Sequence, residues 1–414
     1  MDKYLDFTKN FYINKKITIT GSKSESNRLL ILKQLFENLK LENVSNAKDT
    51  KVLAEALATK EQTINIGHAG TAMRFLTAYF ATKKGAEVIL TGSERMQKRP
   101  IKILVEALQK LGAEITYVKE EGFPPLKIIG KDLTEDTVAI EGNVSSQYIS
   151  ALLLIAPSLK NGLTIELRNE ITSIPYIEMT LTLLNEIGVK TAWKDNKVTV
   201  LKNEKVKDKI LKIESDWSAA SYYYSLVALS KNRKLSLSNF KENSLQGDRE
   251  LAEIYKEFGV ETTFKKETIE IKKIENFKQK KNITFDLIKT PDIAQTIAVT
   301  SFGLGVSCEL TGLHTLKIKE TDRLQALKNE LEKFGAKVRI TEDSLHLESK
   351  EVRTKSQELG SKNQEPIKIA TYDDHRMAMA FAPLALKIPL LIEDSKVVEK
   401  SYPDFWKDFE SIFE

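Results

Sequence analysis

Cysteine is almost absent. The single thiol, Cys308, excludes an internal disulfide framework, and the four histidines (His68, His314, His346, His375) show no metal-ligand spacing, so neither a structural zinc site nor thiol-redox chemistry is expected. No Gly/Ser-rich or Pro-rich stretch marks a linker. No segment approaches ~18 uninterrupted apolar residues, and the N-terminal MDKYLDFTKNFYINKK lacks the apolar region of a signal peptide. A cytoplasmic, reducing location with no membrane partner is the resulting expectation. A strong excess of one charge is missing too: 63 Lys and Arg against 58 Asp and Glu leave a net +5. That balance suits small anionic substrates gathered in one place better than duplex nucleic acid, which calls for a concentrated basic face.

What the chain does have is length and repetition. Its 414 residues are enough for two to three domains of ~150 residues. One pattern recurs four times, an amphipathic helix that ends at a glycine and opens into a strand: VEALQKLGAEITYV, LTLLNEIGVKTAWK, LAEIYKEFGVETTFK and LKNELEKFGAKVRIT. Gly112, Gly188, Gly259 and Gly335 sit where a left-handed residue stops a helix. A second helix type is apolar nearly all round and so is expected to be buried. Six of these begin at Ser24, Gly70, Ser145, Asp216, Pro291 and Asp374, each with polar residues at its start. Bundled in two groups of three with their N-termini toward a common cleft, they would make those polar residues converge. The fold class expected is α+β, two similar halves of small modules; the lysine-rich runs at 201–212, 265–282 and 350–368 read as solvated hairpins and loops.

The helix starts carry the chemistry. GSKSESNR places Gly21, Lys23, Ser24, Ser26, Asn27 and Arg28 at one N-terminus, where orphan N–H groups and the positive dipole end already attract anions. Two cations there oppose helix stability, which points to a ligand, although a solvated turn reads the octapeptide equally well. HAGTAMR, preceded by Gly67, adds Gly70, Thr71 and Arg74; a guanidinium on an apolar helix is expected to need an anionic partner. LTGSERMQKRPI brings Arg95, Lys98 and Arg99, by composition a mobile basic loop suited to a lid, with Pro100 starting the next helix. Ser145, Ser146 and Gln147 open another helix, and capping accounts for one serine but not both. In the second half Asp292, then Lys319, Glu320, Asp322 and Arg323 of IKETDRL, then Asp374, His375 and Arg376 combine carboxylates with cations, as acid-base chemistry on anions requires. Taken alone, IKETDRL reads as surface salt bridging. His375 reads as a structural hydrogen-bonding residue as easily as a proton carrier, and Lys400 as part of the site or of the last loop.

GSKSESNR, AGTAMR, RMQKRP, SSQYISALLL, SIPYIEMT, KETDRL and DHRMAMAF, in this order over essentially the whole chain, resemble the signatures of the 5-enolpyruvylshikimate-3-phosphate synthase family. The resemblance implies two domains, each of three βαβαββ modules with buried helices whose N-termini face the interdomain cleft. Residues 1–20 with 215–414 would form one domain and 21–214 the other. It raises the repeat from four detectable units to six. It also implies transfer of the enolpyruvyl group of phosphoenolpyruvate to the 5-hydroxyl of shikimate 3-phosphate, through a tetrahedral intermediate, by a monomer with no metal or organic cofactor. By matching positions, Ser145, Ser146, Ser173, Arg28 and Tyr176 would hold shikimate 3-phosphate with Ser24, Gln147 and Lys319 assisting. Lys23, Gly70, Arg99, Gln147, Arg323, Arg376 and Lys400 would surround phosphoenolpyruvate. Asp292 would be the base toward the 5-hydroxyl, Glu320 the group that protonates and deprotonates the methylene carbon from a raised pKa, with Lys23 as a further catalytic candidate.

His68 stands where the family usually has Asn, Phe75 where many members have Pro or Leu, and Thr315 where Asn is common. Glyphosate, an inhibitor that mimics phosphoenolpyruvate, would meet the first two. The rival within the same chemistry is UDP-N-acetylglucosamine enolpyruvyl transferase, whose loop normally carries a cysteine where this chain has RMQKRP; Cys308, in VSCELTG, reads as buried. A non-catalytic nucleic-acid-binding protein on the same module is the rival from another class, and carboxylates at the helix starts would repel phosphodiesters.

Overall fold

The computed structural model describes residues 1–8, 14–143, 145–169, 171, 174–231, 234–348 and 365–414. The chain divides into two compact units, Met1–Thr20 with Glu214–Glu414, and Gly21–Ile213. Among the described residues the strands form six small sheets, and four share one plan. Thr63–Asn65 lies parallel to Glu87–Thr91, which pairs antiparallel with Leu126–Ile129, itself antiparallel to Glu114–Tyr117. The same order recurs from Thr137–Glu141, from Asn14–Ile17 and from Asn282–Asp286. Two sheets are reduced, one to the parallel pair Lys209–Lys212 and Leu39–Glu42, the other to Ile367–Ile369, Leu390–Ile392 and the N-terminal Lys3–Leu5. A parallel pair needs a helical crossover, and the antiparallel partner closes by a short turn.

The buried crossover helices are the ones the apolar pattern predicts. In the 21–213 unit, Lys23–Leu35, Gly70–Thr82 and Ser146–Ile155 pack on one another; in the other, Trp217–Leu229, Ala294–Gly303 and His375–Phe381 do the same. All but Lys23–Leu35, whose polar residues leave one side open, are buried along nearly their whole length; in Trp217–Leu229 only Ser218 escapes burial. Ser22, Ser145, Asp216 and Asp374 cap four of the starts with side-chain oxygens.

The amphipathic helices Lys102–Lys110, Ile174–Glu186 and Arg323–Glu332 cover the outside. The four repeat glycines all have positive φ, between 72° and 102°, the left-handed stop that the sequence requires. Two local expectations fail. LAEIYKEF is α-helical only over Leu251–Ile254 and continues as a 3₁₀ turn, Tyr255–Phe258; three-residue periodicity puts Tyr255 and Phe258 on one side, fully buried with ring centroids 5.1 Å apart. Pro100 does not start its helix, which begins at Lys102, because the Pro100 carbonyl accepts from Arg74 (2.8 Å) and Tyr148 (2.6 Å). No helix among the described residues is long and apolar enough to cross a membrane, and residues 350–364 of the last lysine-rich run lie outside the described set.

Candidate active site

In the unit holding both termini, an arginine organises the acidic motifs. Arg323 begins its helix one residue after the Asp322 cap, and its guanidinium is 2% exposed. Nε donates to Asp374 (2.7 Å), Nη1 to Asp292 (2.9 Å) and Nη2 to Glu320 (2.9 Å). Lys400 donates to the other oxygen of Glu320 at 2.6 Å. Arg376 lies 3.3 Å and Lys319 3.7 Å from Asp292, and His375 is buried 3.7 Å from Asp374. IKETDRL therefore centres on a buried arginine, not on the surface salt bridging that the motif alone suggests: a buried arginine needs compensating carboxylates, and Glu320 of the motif is joined by Asp292 and Asp374 from two other segments.

The electrostatics correct one expectation. Burial by itself would raise the Glu320 carboxyl, but Arg323, Lys400 and His375 outweigh it and hold it well below the usual carboxylate range. The raised pKa assigned to a resident proton donor is absent from this state. Burial would likewise raise Asp292, and Arg376, Lys319 and Arg323 hold it far down, which keeps it an acceptor. Asp248 is a residue the sequence reading missed. It accepts from Ser218 and Thr290, and burial and then Asp292 push it up; its segment, QGDRE, carries no motif to mark it.

The 21–213 unit gathers cations with fewer carboxylates. Lys23, on the first turn of its helix, lies 3.3 Å from Asp49, a partner missed because an acid in a helix's first turn looks like ordinary dipole matching. Arg28 donates to Thr180 (2.8 Å), Ser150 (3.0 Å) and the carbonyls of Ser24 (2.9 Å) and Tyr176 (3.2 Å). The rings of Phe75 and Tyr176 lie 5.6 and 5.7 Å from its guanidinium carbon. Burial lowers its pKa to about 10. In this structure these bonds direct Arg28 into the protein, toward Thr180, Ser150 and the Tyr176 carbonyl.

Arg74 departs from expectation as well. Its partners are the carbonyls of Gly70 (3.3 Å) and Pro100 (2.8 Å), Met96 Sδ and the Tyr148 ring, so carbonyl dipoles and a π face stand in part in place of the expected anionic side chain. Burial, and then Arg99, lower it to about 10. Gly70 sits under Arg99: a Cβ there would lie 2.5 Å from Nη1. Gln147 donates to Thr71 at 3.3 Å, Ser145 caps its helix while Ser146 is buried, and Ser173 lies outside the described residues.

The basic loop is not free by its bonding. Ser93 N–H donates to Gly67 (3.0 Å), the Ser93 hydroxyl meets His68 Nδ1 (2.9 Å), and Met96 is 1% exposed. Arg95 and Lys98 stay exposed while Arg99 is half-buried. Gly21, in turn, touches the Asn43 carbonyl so closely that any Cβ would collide with it. Cys308 is buried.

The comparisons agree with the motif order. The sequence matches the EPSP synthase family, described as 3-phosphoshikimate 1-carboxyvinyltransferase, over residues 54–409. A 3-phosphoshikimate 1-carboxyvinyltransferase of Bacteroides fragilis (strain YCH46) is 45% identical over 398 residues, 96% of this chain and 94% of that protein. One from Haemophilus influenzae (strain PittEE) is 35% identical, covering 96% of each. A solved EPSP synthase of Acinetobacter baumannii superposes with a TM-score of 0.77 over 99% of this chain and 98% of that one; at 21% identity it speaks to the fold. With the family match spanning most of the chain and relatives this similar along nearly all of it, the protein belongs to the EPSP synthase family.

Proposed function

We infer that this chain transfers the enolpyruvyl group of phosphoenolpyruvate to the 5-hydroxyl of shikimate 3-phosphate and releases phosphate. The observation that carries the reading is the Arg323 cluster, two carboxylates held ionised among Arg323, Arg376, Lys319 and Lys400. Such a cluster provides a base for a hydroxyl and cations for a phosphate and a carboxylate in one place.

In this proposal Asp292 accepts the 5-hydroxyl proton as the oxygen bonds to C2 of phosphoenolpyruvate, and C3 takes a proton from Glu320. In the second step C3 returns that proton to Glu320, the C2–O bond to phosphate breaks, and the enol ether double bond forms. Glu320 must therefore acquire a proton that it does not hold in the free state. Its low pKa depends on Arg323 and Lys400; when a polyanionic substrate draws those charges to itself, burial prevails and the carboxyl becomes a donor. Lys23 would lie against phosphoenolpyruvate, as would Gly70, Arg99, Gln147, Arg323, Arg376 and Lys400. Ser24, Ser145, Ser146, Ser173, Tyr176 and Lys319 would bind shikimate 3-phosphate, with Arg28 behind them. The protein acts as a cytoplasmic monomer.

The deciding assay is phosphate release from phosphoenolpyruvate with each acceptor in turn. Release is expected only with shikimate 3-phosphate; release with UDP-N-acetylglucosamine instead would sink the assignment.

A further inference from the structure

Glu330 is a carboxylate that the proposed chemistry does not use, yet it is 0% exposed on a helix whose outer face is charged. Three donors reach it. Tyr372 Oη donates to Oε1 at 2.7 Å, and the Ala370 N–H (3.1 Å) and Lys333 Nζ (2.6 Å) donate to Oε2. Tyr372 and Asp373 are consecutive non-glycine residues in the left-handed region, with φ of 54° and 55°, a conformation that persists only where the surroundings impose it. The next residue is Asp374, whose N–H donates to Thr371 at 2.8 Å, whose Oδ1 accepts from the Arg376 N–H at 2.8 Å, and whose Oδ2 takes Arg323 Nε.

Arg323 and Glu330 are seven residues apart on one helix, two turns or about 10 Å along a single face. They tie residues 370–374 at two points: Glu330 fixes the approach to the turn, and Arg323 fixes its exit. The ring of Tyr372 is half-buried against the edge of the core, and its hydroxyl bond to Glu330 adds a directional tie on the left-handed pair. Asn329 adds a weaker contact to the same hydroxyl at 3.4 Å.

We propose that Glu330 and Tyr372 are positioning residues that impose the strained Tyr372–Asp373 turn and thereby aim Asp374 at Arg323 and set Arg376 at the start of its helix. This rests on the reaction inferred above for its kinetic consequence only. Arg323 and Arg376 belong to the proposed phosphoenolpyruvate set, so loosening the turn should affect that substrate selectively.

Tyr372→Phe in the full chain is the primary test. It is expected to lower kcat/KM for phosphoenolpyruvate about tenfold, while the KM for shikimate 3-phosphate changes less than about twofold. Adding Asp373→Gly, which lets one of the two residues adopt its conformation without strain, should recover part of the loss. Wild-type phosphoenolpyruvate kinetics in Tyr372→Phe would overturn the proposal, as would a lowered Tm with both substrates' constants unchanged. An arm that needs no turnover keeps the clamp separable from the choice of substrates. Amide exchange at Asp374 and Arg376 should accelerate in Tyr372→Phe and in Glu330→Gln, and unchanged exchange at both amides would also overturn it.

Discussion

Arg28 and Arg323 are buried almost equally, 3% and 2% exposed, yet their surroundings are opposite. Arg323 meets three carboxylates and its pKa is raised against the burial that would lower it. Arg28 meets hydroxyls, carbonyls and two aromatic faces, and burial brings it down to about 10. The first arginine is a neutralised hub that fixes acids; the second is a charge with little compensation. Arg74, likewise held by carbonyls and a ring, repeats the second pattern. Under the reaction proposed above, the difference would divide the work: positive potential for a phosphate in the 21–213 unit and ordered carboxylates for proton transfer in the other.

The largest test of that division is loss of an acid. Glu320→Gln and Asp292→Asn should each lower kcat by about 10²–10⁴-fold while ligand binding, followed by thermal shift, persists. Unchanged turnover in both would remove the acid-base assignment. Next comes a matched pair of deletions. Arg323→Met takes the guanidinium from three carboxylates, leaving the fully buried Asp374 without its arginine, and should cost about 3–5 kcal/mol of stability in denaturant unfolding, whereas Arg28→Met leaves neutral hydrogen-bond partners, of which Thr180 and Ser150 already bond each other at 3.1 Å, and should cost about 1–3 kcal/mol. Equal losses would erase the contrast between the two arginines.

A smaller effect is expected at Gly70. Its added Cβ would meet only the tip of Arg99, which can swing aside, so Gly70→Ala should keep the wild-type Tm and raise the KM for phosphoenolpyruvate about tenfold. The mildest contrast is with pH. Because Asp292 has a depressed native pKa, its contribution to stability is complete above the unfolded value of ~4 and is lost as pH falls through the native value. Urea unfolding should therefore show wild type losing more stability than Asp292→Asn on acidification below that point, with no difference in slope near neutrality.

The helices were legible because their signal is local. An apolar body behind a polar start needs no knowledge of its neighbours, and all six became helices, buried nearly throughout except for Lys23–Leu35, which is buried on one side; the repeat glycines likewise declare a left-handed stop by themselves. The site was legible as residue types at those starts. Charge state and direction were less so, since they also depend on partners far along the chain: Glu320, held ionised first by Arg323 of its own motif, is also paired with Lys400, 80 residues away, Arg28 turns toward Thr180, 152 residues away, and Asp248 carries no local mark. The segment before RMQKRP shows the same dependence, since Ser93 is bonded to Gly67 and His68 in this structure.

By itself, then, the order of residues determined where helices begin and stop, which of them are buried, and which chemical groups stand at their starts, because backbone capping and apolar periodicity act within a few residues. Only the tertiary structure decided which of those groups are neutralised and which keep their charge. Burial strengthens every electrostatic interaction, and partners that settle it arrive from distant segments, as Asp374 and Asp292 do at Arg323, where Glu320 of the same motif joins them.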